Sequence, residues 1–362
     1  MRLAFKFRWR TDDDFDNSAV ANGRGLGCAG EDAGGGCAKN GDTMYPTHFQ
    51  LRQRPFPATP DPARYYPATC HERAIARLLH GLEDGEGVLA LTGAPGTGKT
   101  LLCHCLLERL DPRANVAFLT NSHVGSRAGL LQAILYDLSL PYEGRGEQEL
   151  RLALTDRLLH GYESGGSSIL ILDEAQHLTP DLLEEVRLLG NLEARSGKAL
   201  QVILVGQPAL VETLRRPELS ALRQRVSIRV ELEPLPLQEA ADYLLHHVRI
   251  AGGRPERLFA DEALELLSRQ TGGVPRLLNQ AAHLALNLTV ESDASQVDAE
   301  AALEALAQLG LAEESEQANL PMPTLDTSEI GSDSETKDAV DLAPFESDDV
   351  SCRLVLASGQ AE

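Results

Sequence analysis

Residues 93–100 constrain this chain more than any other segment, because they read GAPGTGKT and fit the pattern GxxxxGK[ST] at every fixed position. An apolar stretch at 88–91 precedes them, and apolar residues recur at helical spacing over 101–110. The sequence therefore predicts a strand, a glycine-rich loop and a helix whose N-terminus faces the phosphates of a nucleoside triphosphate. A glycine-rich turn without a ligand is disfavoured, because strand, loop, Lys-Thr pair and helix occur together.

The residues of this loop have distinct predicted roles. Its glycines let the backbone wrap closely around phosphate groups, with successive N–H groups pointing inward. Lys99 is expected to lie against the β- and γ-phosphates, and the Thr100 hydroxyl is expected to complete the ligand shell of Mg²⁺. The predicted nucleotide-binding residues of this segment are Gly93, Ala94, Pro95, Gly96, Thr97, Gly98, Lys99, Thr100 and Leu101.

A second motif supplies the acids that hydrolysis needs. Residues 169–172 read ILIL, an apolar strand, and Asp173 and Glu174 follow directly. We expect Asp173 to hold Mg²⁺, through water, and Glu174 to polarise the attacking water. An ordinary buried strand that ends in two acids is the alternative. The glycine-rich loop at 93–100, called the P-loop below, lies about 75 residues earlier and disfavours this alternative.

Three further residues are candidates at the phosphate end of the site. Gln207 follows the next apolar strand and suits a side chain that senses the γ-phosphate; a plain turn residue is the alternative. Arg225 is the candidate for a charge supplied across a subunit boundary, with Arg223 as the substitute and a surface salt bridge as the alternative for either. Arg276 begins a later helix and could reach back to the phosphates.

The net charge of −21 is uneven along the 362 residues. Residues 313–362 hold 13 acidic and 2 basic residues, whereas residues 1–43 hold 7 and 6, so the remainder carries −9. This mildly acidic middle part has no stripe rich in Lys and Arg, which makes DNA binding possible but not favoured. A small local basic patch remains an alternative.

Cysteines and hydropathy indicate the compartment. The six cysteines form no CxxC pair, so we expect reduced thiols in a cytoplasmic protein, with a redox or metal role for Cys103 and Cys105 as the alternative. No stretch approaches about 18 consecutive apolar residues, and the N-terminus lacks a continuous hydrophobic region. We therefore expect neither a membrane span nor a secretion signal, and membrane association only through a partner.

The pattern predicts five segments: an N-terminal extension over 1–43, disordered or non-native with Met44 as the alternative start; a lead-in and helix over 44–87; an α/β domain over 88–235; a helical lid over 236–311; and a disordered acidic tail over 312–362. Predicted strands cover 88–91, 116–119, 168–172, 200–205 and 228–232, which favours a parallel five-stranded sheet covered by helices on both faces. Predicted helices cover 69–82, 100–110, 127–138, 147–161, 180–194, 208–215, 218–224, 237–251, 261–271, 275–290 and 298–309.

These motifs carry a resemblance to AAA+ ATPases, and more narrowly to the ExeA/GspA group of general-secretion-pathway ATPases and their exosortase-locus relatives. The narrower resemblance rests on DEAQ at 173–176, NLE at 191–193, GQP at 206–208 and GVPRLLN at 273–279, and it covers about 44–311. It implies an AAA+ core with a helical lid, ATP hydrolysis and homo-oligomers in which one subunit's Arg225 completes a neighbour's site. It also implies the roles given above for Asp173, Glu174, Gln207 and Arg276.

Members of that group continue into a transmembrane helix and a peptidoglycan-binding domain, and neither is expected here. Three functions stay open. The first is an ATPase that assembles or remodels an unidentified protein partner in a secretion or exopolysaccharide-export system. The second is a DNA-associated ATPase resembling transposition regulators, which would need a basic channel or a helix-turn-helix. The third, a nucleotide switch that does not hydrolyse, is disfavoured because Glu174 is present.

Overall fold

The computed structural model describes residues 45–120, 124–164, 166–194 and 197–311. The predicted N-terminal extension and acidic tail lie outside the described residues. The strands are β1 (Val88–Gly93), β2 (Asn115–Leu119), β3 (Ser168–Leu172), β4 (Glu193–Ala194), β5 (Gly197–Lys198), β6 (Gln201–Gly206) and β7 (Val226–Leu232). The helices are α1 (Tyr45–His48), α2 (Thr69–Glu83), α3 (Lys99–Arg109), α4 (Arg127–Asp137), α5 (Glu147–Glu163), α6 (Pro180–Leu189), α7 (Pro208–Leu214), α8 (Ser220–Arg225), α9 (Leu237–Ile250), α10 (Pro255–Leu258), α11 (Asp261–Gln270), α12 (Pro275–Glu291) and α13 (Ala299–Gln308).

Five strands form one parallel sheet in the order β2-β3-β6-β1-β7. The register pairs Leu91 with Val205 and Leu172 with Leu204, so β1, β6 and β3 end at the same edge. This confirms the predicted α/β class with a parallel five-stranded sheet. In open parallel sheets, ligands bind outside the carboxyl ends of the strands, which is where residues 93–100 and 173–174 lie.

Side chains alternate between the two faces of the sheet, as the period of a strand requires. In β3, Leu170 and Leu172 pack against helices α4 to α8, whereas Ile169 and Ile171 pack on the side of α2 and α3. All four are buried. Both faces are thus covered, and the near-continuous apolar composition of the strands follows from burial on both sides.

A separate apolar cluster lies among helices α9 to α13, the part of the chain predicted as a helical lid and called the lid below. The segment predicted as one lead-in divides between the two parts. Tyr45 and Phe56 pack in the lid cluster, and the Tyr45 hydroxyl lies 3.0 Å from Nδ1 of His283 on α12. Ile75 and Leu78 on α2 pack instead against the sheet.

One predicted helix was too long. The pattern favoured a helix over 180–194, but α6 ends at Leu189 and Gly190 caps it. Beyond this cap, Glu193–Ala194 and Gly197–Lys198 pair as two short antiparallel strands. The apolar spacing continues past Gly190, but the N–H groups of Asn191 and Leu192 bond carbonyl oxygens three residues back, so the α-helical pattern of hydrogen bonds ends there. The short helices α1 and α10 were also not predicted.

Cys103 and Cys105 lie on the buried side of α3. Burial raises the pKa of Cys105 to about 11 and also raises that of Cys103, which disfavours the reactive thiolate. The described residues contain no group of three or more side chains suited to a metal. A packing role therefore accounts for both thiols.

Candidate nucleotide-binding site

The P-loop connects the end of β1 to the start of α3. Gly96 and Gly98 adopt φ of 83° and 96°, a left-handed backbone that residues with a Cβ rarely adopt. Gly98 is the N-cap of α3, so the helix begins at Lys99. The helix dipole and the unpaired N–H groups of its first turn therefore face the loop, which is the arrangement that binds phosphate.

Two glycines of the loop are required by close approach of other segments. A Cβ at Gly93 would lie 2.7 Å from the carbonyl oxygen of Leu232 on β7. A Cβ at Gly96 would lie 2.8 Å from Cβ of Arg276 on α12. The loop is thus wedged between the sheet and the lid, and it has no room for side chains at these positions.

Lys99 is buried beneath this loop. Its ammonium group donates to the carbonyl oxygens of Gly93 and Ala94, both at 2.9 Å. Burial lowers the pKa of Lys99, and the carboxylates of Glu174 and Asp173 oppose that shift. A buried cation this close to two acids is a suitable partner for phosphate oxygens.

Thr100 and Asp173 meet across 73 residues of sequence. The Thr100 hydroxyl donates to Oδ2 of Asp173 at 2.6 Å, and the backbone N–H of Glu174 donates to Oδ1 at 2.8 Å. Asp173 is 2% exposed, and its burial raises its pKa against the opposing effect of these hydrogen bonds. A hydroxyl and a buried carboxylate side by side are the oxygen ligands that Mg²⁺ prefers, so the pair fits this ion.

Glu174 has an unusual backbone and a polar surrounding. Its φ of 53° is left-handed for a residue with a side chain, and such strain concentrates at functional sites. Oε2 accepts a hydrogen bond from Nε2 of Gln207 at 3.3 Å and another from the side-chain amide of Gln176. Nε2 of His177 lies 4.0 Å from the same oxygen. The structure thus brings Glu174 and Gln207 together.

The two arginine candidates differ in position. The backbone N–H of Arg276 donates to the carbonyl oxygen of Gly96 at 3.2 Å, which places Arg276 directly on the P-loop. As the second residue of α12, it has a backbone N–H with no acceptor inside the helix, so the bond satisfies an otherwise unpaired donor. Arg225 is exposed at the end of α8, as is Arg223, and Glu184 on α6 is the acid nearby.

His71 contacts the P-loop, and sequence reasoning did not single it out for this site. It lies on α2, is 7% exposed, and its Nε2–H donates to the carbonyl oxygen of Thr97 at 3.0 Å. Burial lowers the pKa of His71, and the hydrogen bond to Thr97 opposes that shift. A local pattern cannot find it, because the two residues are 26 positions apart and belong to different elements.

Comparisons with known proteins indicate the kind of domain that holds these residues. Residues 82–214 match a family model described as an AAA domain. The chain is 41% identical to the general secretion pathway protein A of Aeromonas hydrophila over 237 residues, which are 65% of this chain and 43% of that protein. It is 31% identical to the Mu-like prophage DNA transposition protein B of Haemophilus influenzae over 33% of this chain and 40% of that protein. The chain thus spans less than half the length of either relative.

A solved structure shows the same fold. The ORC2 protein of Aeropyrum pernix, in complexes with ADPNP and ADP, superimposes with a TM-score of 0.52 at 18% identity. The match covers 66% of each chain. Among the described residues, no helix is both long and apolar enough to cross a membrane.

Proposed function

We propose that this chain binds ATP with Mg²⁺ and hydrolyses it to ADP and phosphate. The observation that carries the proposal is the convergence of a buried lysine, a hydroxyl–carboxylate pair and a second carboxylate at one edge of the sheet. These are Lys99, Thr100 with Asp173, and Glu174. The resemblance to an AAA domain supports the same reaction.

The residues divide the work of hydrolysis as follows. The P-loop N–H groups and Lys99 bind the phosphates, whose oxygens replace the carbonyl partners of the ammonium group. Thr100 and Asp173 would hold Mg²⁺, which neutralises phosphate charge when it is bound. Glu174 orients a water for in-line attack and accepts its proton, while Gln207 and Arg276 hydrogen-bond the γ-phosphate.

The biological setting is the second part of the proposal. The 41% identity to a general secretion pathway protein supports an ATPase that assembles or remodels a partner in a secretion or exopolysaccharide-export system, in the cytoplasm. We propose homo-oligomers in which the exposed Arg225 acts on a neighbour's nucleotide. Mixing Arg225→Ala with Glu174→Gln subunits tests this, since only a trans-acting arginine restores activity in the mixture.

The ATPase rate of the purified full chain tests the central claim. We expect hydrolysis by the wild type and a loss of roughly 100-fold or more in Glu174→Gln, with nucleotide affinity kept, because this change leaves the phosphate-binding groups intact. Lys99→Ala gives the background rate. Wild-type hydrolysis no faster than that background would refute the proposal.

A specific observation favours DNA as a second candidate partner. Five exposed arginines follow α7 and continue through α8 into β7, namely Arg215, Arg216, Arg223, Arg225 and Arg229. The guanidinium group of Arg223 donates to the carbonyl oxygen of Arg215, and that of Arg229 donates to the carbonyl oxygen of Arg223. These bonds hold the arginines together as one basic patch. None of the five forms an ion pair within the part of the chain that the structure describes.

Such a patch suits a phosphate backbone, and one relative is named as a DNA transposition protein. Binding of duplex DNA at several salt concentrations tests this candidate. Replacing Arg215 and Arg216 by alanine should flatten the salt dependence if the patch contacts DNA. If DNA does not change the ATPase rate at any salt concentration, the DNA candidate is refuted and the function with a protein partner remains.

A further inference from the structure

Gln176 uses both ends of its side-chain amide at the candidate site. It lies in the short 3₁₀ turn Ala175–His177 that follows Asp173 and Glu174. Nε2 donates to Oε2 of Glu174, and Oε1 accepts from the backbone N–H of Gln207 at 3.1 Å. The side chain thus connects the end of β3 to the end of β6.

Glu174, Gln176 and Gln207 form a closed ring of hydrogen bonds that includes the backbone N–H of Gln207. Gln207 completes it, because its own Nε2 donates to the same oxygen of Glu174 at 3.3 Å. A carboxylate oxygen that accepts from two amides is held in one orientation, whereas a single donor would leave it free to rotate about that bond.

The neighbouring strand leaves space for this amide. A Cβ at Gly206 would lie 2.7 Å from Oε1 of Gln176, closer than the two atoms can approach. It would also lie 3.0 Å from a methyl group of Leu210. Glycine at 206 is therefore what allows Gln176 to reach the N–H of Gln207.

We propose that Gln176 is the positioning residue that fixes the carboxylate of Glu174 relative to Gln207 and thereby sets the rate of hydrolysis. The inference rests on the proposed ATPase function. Gln176 acts through its two neighbours, because its amide nitrogen donates to Glu174 and its amide oxygen accepts from Gln207. Its loss should therefore lower kcat and leave nucleotide affinity unchanged.

The test compares Gln176→Met with the wild-type full chain. Methionine keeps the length of the side chain and removes both hydrogen bonds. We expect kcat to fall about tenfold or more, with the Kd for ADP within about twofold of the wild type, since Lys99 and Thr100 are untouched. The control is Gln201→Met, at a buried glutamine that bonds the carbonyl oxygens of Leu82 and Glu86 at the opposite end of β6.

Gly206→Ala provides an independent second variant, because it displaces the amide of Gln176 without removing it. We expect the same fall in kcat, and the double variant with Gln176→Met should be no slower than Gln176→Met alone. Additive effects, or a Gln176→Met protein that keeps its kcat within twofold, would overturn the inference. So would equal losses of kcat in Gln176→Met and Gln201→Met. A wild type without hydrolysis would instead overturn the proposed function, and the inference with it.

Discussion

The α/β core and the helical lid contribute to the candidate site in different ways. The core supplies charged side chains that are buried, since Lys99 is 6% and Asp173 2% exposed. The lid supplies the exposed Arg276, whose position is set by one backbone hydrogen bond to Gly96. Burial and hydrogen bonding fix the geometry of the core groups, whereas the lid group depends on how the lid lies against the loop. Changes in the two parts should therefore differ in kind as well as in size.

The largest effect should come from the core. Lys99→Ala removes the buried cation whose ammonium group bonds the carbonyl oxygens of Gly93 and Ala94 in the P-loop. We expect hydrolysis to fall by roughly a thousandfold, because charge stabilisation is the main catalytic term in phosphoryl transfer. The measurement is the ATPase rate, with Arg73→Ala, an exposed arginine on α2, as the control for loss of one positive charge. A fall in the ATPase rate of less than tenfold would contradict the prediction that the buried Lys99 is the essential cation.

The second prediction concerns the junction of core and lid. Gly273 has φ of 70°, and a Cβ there would lie 1.9 Å from the carbonyl oxygen of Leu235, just after β7. Because a clash with backbone cannot be relieved by a rotamer change, Gly273→Ala should cost about 3 kcal/mol of unfolding free energy.

Gly272 is the matched control for this change. Its φ is 59°, but a Cβ there meets nothing within 4 Å. Gly272→Ala should therefore cost only about 1 kcal/mol for the left-handed backbone. Urea denaturation of both variants measures the difference, and equal costs would mean that the approach of Leu235 does not constrain the junction.

The third prediction concerns how the stability of the lid depends on pH. His247 lies in the lid cluster near Phe56 and Tyr243, and burial lowers its pKa from 6.5 to about 4, with His246 and Arg64 as the nearby positive groups. Between these two pKa values the unfolded chain binds more protons than the folded one, so stability falls as the pH drops through this window. The contribution of His247 to the loss from pH 7 to pH 5 should be about 2 kcal/mol.

Denaturation of the wild type and His247→Phe at both pH values checks this prediction. Phenylalanine keeps a ring in the same surroundings and cannot take up a proton, so the variant should lose about 2 kcal/mol less than the wild type on acidification. His80→Phe, at an exposed position on α2, is the control. An identical pH dependence for wild type and His247→Phe would contradict the assignment.

The smallest effect should come from the lid's contribution to the site. Arg276→Ala removes the guanidinium group and keeps the backbone N–H that bonds Gly96. We expect hydrolysis to fall about tenfold, the effect of one charge-assisted hydrogen bond, while the thermal stability stays the same. An effect as large as that of Lys99→Ala would erase the proposed difference between core and lid.

Local pattern was enough to predict the sheet and the P-loop. The strands are continuous apolar runs, and the loop is a contiguous motif, so neither depends on distant residues. The end of α6 was missed because the helical spacing continued past Gly190. The roles predicted for the site residues stay predictions.

Contacts between distant segments could not be read from the sequence. DEAQ contributed to the resemblance, but nothing in its spacing indicates that Gln176 reaches Gln207, 31 residues away. Likewise, no signal joins His71 to Thr97 or Gly93 to Leu232. These contacts depend on the order of strands in the sheet, in which β3 lies beside β6 and β1 lies between β6 and β7, and on the packing of α2 against the sheet.

The hydrogen bond between Arg276 and Gly96 is formed by backbone atoms only. The contact of the lid with the P-loop is therefore independent of the side chain at position 276. Every amino acid except proline has the N–H that the bond requires. The side chain at 276 can therefore be exchanged without detaching the lid from the P-loop. Under the proposed role of Arg276, other side chains at this position would change the contact with the γ-phosphate and keep the bond to Gly96, whereas Arg276→Pro would remove that bond.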